Sequence, residues 1–238
     1  WEGDHRHGYG ACTFADGRVF RGQWERDAWV QSLADPAASR VFGPGAARAV
    51  AGEEAVFGID AYDDEGNRRL SGGDRFQCCL EGPDTLFAAV EDGDTGSYSV
   101  TYTPRVAGDY KLFVTLGDEE PVAGTPVAVR VQAGPPHPPR CSVEGEGRRR
   151  AVAGREARLA VAVADRFGNA CAGGARALPL EVSLTDGAGA VPVRLAWTEE
   201  GRAEASYVAP RAGYFRLEVT AGGAQVGRSP FSVLVLPE

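Results

Sequence analysis

The sequence predicts an all-β protein: β-hairpins followed by two tandem seven-stranded immunoglobulin-like β-sandwiches. Three observations carry this expectation. Apolar and polar residues alternate over short runs, as where Tyr98, Val100 and Tyr102 interleave with Ser97, Ser99 and Thr101, which is the period of a half-buried strand. With 32 Gly and 15 Pro in 238 residues, turn formers interrupt the chain too often for long helices. From residue 34 onward, a set of marks also recurs at a spacing of about 102 to 106 residues, the sign of two related domains.

Residues 1–33 come first and have their own period of 23. Trp1 returns as Trp24, and between them stand Gly8-Tyr9-Gly10, Phe14 and the run Asp16-Gly17-Arg18-Val19-Phe20-Arg21-Gly22-Gln23-Trp24. An Asp-Gly turn between two aromatic-bearing strands reads as a hairpin, and a lone hairpin needs neighbours to be stable in water. The stretch resembles the MORN repeat, with Trp1 in the first Trp place, Gly8 and Gly10 as the glycine pair, and Gly17 at the turn. Phe20 to Trp24 form the next opening, and Phe20 replaces the usual tyrosine. Gln31 stands where a further glycine is due, so the resemblance implies the end of an array. The chain opens at Trp1 and contains no methionine, so it is expected to be a piece of a longer protein.

The two long repeats are expected over 34–133 and 134–238. Asp63, Gly66 and Asn67 recur as Asp165, Gly168 and Asn169. Gly72-Gly73 recurs as Gly173-Gly174, Tyr102 and Pro104 as Tyr207 and Pro210, and Gly124-Thr125-Pro126 as Arg228-Ser229-Pro230 preceded by Gly227. Both domains resemble the filamin (actin-binding protein 280) repeat, a sandwich without an inter-sheet disulfide. The marks are Ser39-Arg40-Val41-Phe42-Gly43-Pro44-Gly45 at the entrance, the Asp-x-x-Gly-Asn turn, the double glycine, Gly82-Pro83, Gly96-Ser97-Tyr98 and the Gly-x-Ser/Thr-Pro exit. The second repeat departs at its entrance, Cys141 to Gly147, and at Ala203, which stands in the place of Tyr98. Between the repeats, Gly134-Pro135-Pro136-His137-Pro138-Pro139 reads as an extended, semi-rigid spacer.

Filamin-type repeats, by that resemblance, bind partners along the strand that follows the double glycine. The implied partner-binding edges are Phe76, Cys78 and Leu80 with Leu86, Ala88 and Val90 in the first domain. In the second they are Leu180, Val182 and Leu184 with Val191, Val193 and Leu195. Unpaired main-chain groups on such an edge accept another strand, and alternation sends about half of these side chains into the core.

Chemistry other than binding finds little support. Five cysteines (Cys12, Cys78, Cys79, Cys141, Cys171) show no zinc spacing, and Cys78 and Cys79 point to opposite faces of one strand, so reduced thiols are expected. His5 and His7 lack further ligands nearby. The acidic run Asp60, Asp63, Asp64, Glu65 fails the EF-hand spacing, because Ser71 stands at the twelfth position; a solvated turn is expected there. No nucleophile–base constellation, metal site or cofactor motif is expected, and no small-molecule substrate. The net charge of −8 argues against nucleic acid and disfavours a membrane surface. That charge is uneven: net −1 over 1–33, −9 over 34–134 and +2 over 135–238. The expected function is a non-catalytic scaffold that binds other proteins, such as subunits of a cytoskeletal or ciliary (axonemal) complex. Its expected location is the cytoplasm, at the cytoskeleton or the axoneme of a cilium or flagellum. The alternative is a substrate-recognition region of a larger enzyme such as a ubiquitin ligase.

Overall fold

A computed structural model describes the chain except residues 118–119, 172–178 and 199–201 and the side chain of Phe20. The Gly173-Gly174 pair falls outside the described residues. Strands dominate, and the described helices are three single 3-10 turns. The chain divides into two units, one of Trp1–Pro104 with Gly108–Gln132, the other of Arg105–Ala107 with Ala133–Glu238.

The first unit opens with an antiparallel sheet of β1 (Gly8–Thr13), β2 (Val19–Glu25) and β3 (Ala28–Val30). The Asp-Gly turn lies between β1 and β2, where Thr13 opposes Val19, Gly17 has φ +86° and Asp16 accepts the Arg18 amide hydrogen at 3.1 Å. The turn from β2 to β3 is made by Arg26 and Asp27, with φ of +46° and +67°, the mirror-image conformation that matches strand twist. Neither residue is the usual Gly or Asn. Asp27 is kept there because its carboxylate accepts from the Arg6 amide at 2.8 Å and meets His5 Nδ1 at 2.5 Å. Trp24 is buried beneath the Arg6 guanidinium, 4.4 Å above the ring.

The first sandwich packs two sheets. One has the order β4 (Arg40–Phe42), β6 (Ala55–Asp60), β10 (Ser97–Tyr102), β9 (Ala89–Asp92). The other runs β5 (Arg48–Val50), β13 (Val127–Gln132), β11 (Gly108–Leu116), β7 (Phe76–Glu81), β8 (Thr85–Phe87), with β12 (Glu120–Pro121) beside β11. All pairs are antiparallel except β5 with β13. Among the described residues the expected seven strands become ten, because the opening strand is split around the turn Pro44–Ala46 and two short strands flank the second sheet. Ile59, Leu80, Val100, Leu112 and Val114 are fully buried between the sheets, each worth roughly 1.5–3 kcal/mol of apolar transfer.

The second sandwich has the same order. One sheet is β14 (Ser142–Glu144), β16 (Glu156–Ala162), β20 (Ala203–Val208), β19 (Val193–Trp197). The other is β15 (Arg150–Val152), β23 (Phe231–Leu236), β21 (Gly213–Ala221), β17 (Leu180–Asp186), β18 (Gly189–Val191), with β22 (Ala224–Gln225) beside β21. Leu184, Leu217, Val161, Val219 and Val233 form its centre. Pro126 and Pro230 each stand one residue ahead of the closing strand, β13 or β23, after a cis peptide bond. All five cysteines are free. Cys78 is buried and Cys79 half-buried, as opposite faces require, and burial pushes the Cys78 thiol up to about 12.

Candidate functional site

The edges named from sequence are built by main chain, so the direction of each peptide group decides what they offer. In an antiparallel strand the N–H and C=O of one residue point to the same side, and the next residue's point to the other. The Gly117 amide donates to the Arg75 carbonyl at 2.9 Å, and the Ala88 amide to the Cys78 carbonyl at 3.0 Å. Odd-numbered residues of β7 therefore face β11, while Phe76, Cys78 and Leu80 turn their main chain to the outer edge. Their side chains are all buried, so these residues give the core their side chains and the edge their peptides.

That edge of the first sandwich is largely occupied. Cys79, Leu80 and Glu81 pair with β8. Ala88 takes the Cys78 carbonyl, and the Phe76 amide bonds back to the Asp74 carbonyl at 3.2 Å. The outermost strand is then β8, three residues long, which blunts the edge. Phe87 on β8 is 83% exposed, a residue not singled out in the sequence because it sits between the half-buried Leu86 and Ala88. Val90 lies on β9 and is half-buried.

In the second sandwich the same edge is more open among the described residues. The Gly222 amide donates to the Pro179 carbonyl at 2.9 Å, so odd residues of β17 face β21 and Leu180, Val182 and Leu184 present main chain outward. β18 pairs only with Leu184, Thr185 and Asp186. Among the described residues, the outward peptides of Leu180 and Val182 have no strand beside them. Facing them across the opening between the sheets is β19, where Val193 is half-buried and Leu195 is 38% exposed. Val191 is buried on β18. The arrangement can take up an extended segment by main-chain hydrogen bonds, with apolar side chains set against Val193 and Leu195.

The remaining sequence candidates have structural roles. His5 pairs with Asp27, and His7 Nε2 stands 3.5 Å from Glu2. Among the described residues no group of three or more His, Cys, Asp or Glu could hold a metal, and no helix is long and apolar enough to cross a membrane. The Asp63–Asn67 turn is solvated only in part: Asp64, Glu65 and Gly66 are exposed as expected, but Asp63 is 1% and Asn67 6% exposed. Asp63 Oδ1 accepts the amide hydrogens of Glu65 (3.1 Å) and Asn67 (2.7 Å). Asp165 makes the same bonds to Phe167 and Asn169, both 2.9 Å, and is fully buried. Burial works against ionisation of Asp165, but hydrogen bonds from Asn169, Gly134 and Phe167 hold its carboxyl below the usual range.

Comparison with known proteins gives the same repeat twice. The Filamin/ABP280 repeat matches residues 33–128 and again 135–232. Filamin-C of Rattus norvegicus is 30% identical over 205 residues, covering 85% of this chain and 7% of that protein. The E3 ubiquitin-protein ligase TRIM71 of Bos taurus is 37% identical over 108 residues, covering 44% of this chain and 12% of the ligase. The chain thus spans only about a tenth of these relatives. Among solved structures, the Escherichia coli adhesin FdeC has a TM-score of 0.59 at 19% identity, covering 88% of this chain and 66% of that one. Invasin, a bacterial integrin-binding protein, has 0.60 at 15%, covering 92% and 43%; both show the sandwich fold alone. The MORN resemblance of residues 1–33 has no counterpart among these matches. Two sandwiches in one strand order, each matched by one repeat family, place this chain among the filamin/ABP280 repeat proteins.

Proposed function

We propose that the chain is a non-catalytic interaction module that binds other proteins by strand addition, chiefly at the open edge of the second sandwich. The observation that carries this reading is the pair of outward peptides at Leu180 and Val182, set beside the apolar residues of β19. The corresponding edge of the first sandwich, from Phe76 to Leu80 with Leu86, Ala88 and Val90, is the lesser site because β8 and Ala88 already occupy much of it. The three-stranded sheet of residues 1–33 fits a MORN-type unit standing ahead of repeats spanning 34–133 and 134–238. Filamin-C among the relatives favours a cytoskeletal setting, and a ciliary or flagellar axoneme is one such assembly.

The test is capture of partners by the full chain and by Val182→Pro. Proline there removes an outward N–H and no bond to β21, and circular dichroism reports whether the fold is kept. Loss of the captured set supports strand addition. Retention of the same set by Val182→Pro, and by Leu195→Asp on β19, would remove it.

A second reading rests on the TRIM71 relatives. The chain is then the substrate-recognition part of a ubiquitin ligase. Recovery of ubiquitin-conjugating activity with the natural full-length protein would favour it, and the edge would serve the same binding role.

A further inference from the structure

β3 pairs with Gln23, Trp24 and Glu25, and the same register would next bring Ser32 opposite Arg21. The chain has left the sheet by then, and Asn67 from the first sandwich takes the place. Asn67 Oδ1 accepts the Arg21 amide hydrogen at 2.9 Å, and its Nδ2 donates to the Arg21 carbonyl at 2.5 Å. A carboxamide carries the donor and acceptor of a peptide group, so Asn67 pairs with β2 as a strand residue would. Gln31 answers in the opposite direction. Its Nε2 donates to the Arg68 carbonyl at 2.9 Å, and its Oε1 accepts the Leu70 amide hydrogen at 2.8 Å.

A buried ion pair closes the joint. Arg69 Nε lies 3.1 Å from Asp74 Oδ2, with side chains 8% and 4% exposed. Arg69 also donates to the Ser32 carbonyl at 2.7 Å, and Asp74 accepts the Ala34 amide hydrogen at 3.3 Å and the Tyr98 hydroxyl hydrogen at 2.9 Å. Beside them Glu65 comes so near Gly22 that a Cβ there would stand 2.7 Å from its Oε2. The turn motif repeats this grip. In the second unit Asn169 Oδ1 accepts the Ala107 amide hydrogen at 2.9 Å, and its Nδ2 donates to the Arg105 carbonyl at 2.8 Å. Asn67 and Asn169 are the chain's only asparagines.

We propose that the loop between β6 and β7 is a docking site for main chain, which seats residues 1–33 as a fixed extension of the first sandwich. Its occupant is the bare edge of β2 beyond the end of β3. The loop reads peptide groups through carboxamides, so it holds the position of the sheet without depending on the side chain of Arg21.

Amide hydrogen exchange on the full 238-residue chain tests this. Asn67→Ala is expected to speed exchange of the Arg21 amide about tenfold or more, the size of a lost main-chain hydrogen bond. Exchange in β6, β7, β10 and β11 should stay unchanged. Because Asn67→Ala also touches the turn, Gln31→Ala is the second variant; it should deprotect the Leu70 amide and β3 without altering Asp63. Asn169→Ala, with the same chemistry in the second unit, should leave Arg21 as it was. An Arg21 amide that is unprotected in the parent chain, or unmoved by Asn67→Ala, would overturn the proposal. So would a rise spread evenly over the sandwich strands, which would make Asn67 a turn former and nothing more.

Discussion

Tyr102 and Tyr207 hold corresponding places in the two sandwiches, and each gives its hydroxyl hydrogen to a glycine carbonyl, Gly45 at 2.6 Å and Gly147 at 2.5 Å. Each glycine is packed on the neighbouring backbone: a Cβ on Gly45 would stand 2.5 Å from the Val56 carbonyl oxygen, and one on Gly147 2.5 Å from that of Arg158. Burial pushes both phenols up to about 12. Tyr102→Phe is expected to cost about 1–2 kcal/mol in urea unfolding, by stranding a buried carbonyl. Gly45→Ala should cost about 1–3 kcal/mol by forcing the turn off β6. Equal stability of parent and variants would contradict both. Tyr102, Tyr207 and Gly45 are legible in the sequence as marks of the repeat, whereas Gly147 stands in the entrance where the second repeat departs from the pattern. The turn at Arg26 and Asp27 is not legible, because what holds it is a carboxylate caught by Arg6 and His5 some twenty residues away. The Arg6 amide first, then His5, hold the Asp27 carboxyl down to about 2 against an ordinary 3.8. A depressed carboxyl stabilises above its ordinary value and loses that contribution as pH falls through the folded one. Trp24 fluorescence should therefore report loosening of the small sheet between about pH 4 and 2. Asp27→Asn should be looser already at neutral pH and lack that step. Arg26→Gly should instead add up to about 1 kcal/mol, since glycine adopts its positive φ without strain.

Strands and loops differ in how much of them sequence can foretell. The sequence located β10 by alternation, and β7 and β17 through the filamin resemblance; Phe76, Cys78, Leu80, Leu180 and Leu184 turn inward on those strands. It could not tell an open edge from a covered one. That depends on β8 and β18, three residues each, whose register is fixed by the turns that precede them. Within the β6–β7 loop, the acidic run up to Asn67 reads as a solvated turn because its spacing fails for a cation site, yet Asp63 and Asn67 are buried. Its burial comes from partners 37 to 46 positions away in the chain, beyond any local pattern. The Arg69–Asp74 pair in that loop gives the sharpest test of an element. Arg69→Ala leaves Asp74 buried without its cation, and breaking such a pair costs about 3–5 kcal/mol. Paired replacement by apolar residues of similar size should cost much less, and chemical denaturation of both variants decides between them. An equal loss in both would show that packing, not charge, matters at the site.

The proposed interaction role rests on the surfaces of the two sandwiches. These share one strand order and differ in what they present. The first is strongly acidic and has its edge folded over; the second is mildly basic and, among the described residues, has a stretch of β17 with no strand beside it, facing β19. A partner that adds a strand there gains main-chain hydrogen bonds at Leu180 and Val182 and apolar contact at Val193 and Leu195. The direct check is amide exchange of the full chain with and without a captured partner. Strand addition predicts protection confined to the Leu180 and Val182 amides and neighbouring β19, with Leu180 left unprotected in Val182→Pro. Protection elsewhere alone, with the Leu180 and Val182 amides unchanged, would contradict it.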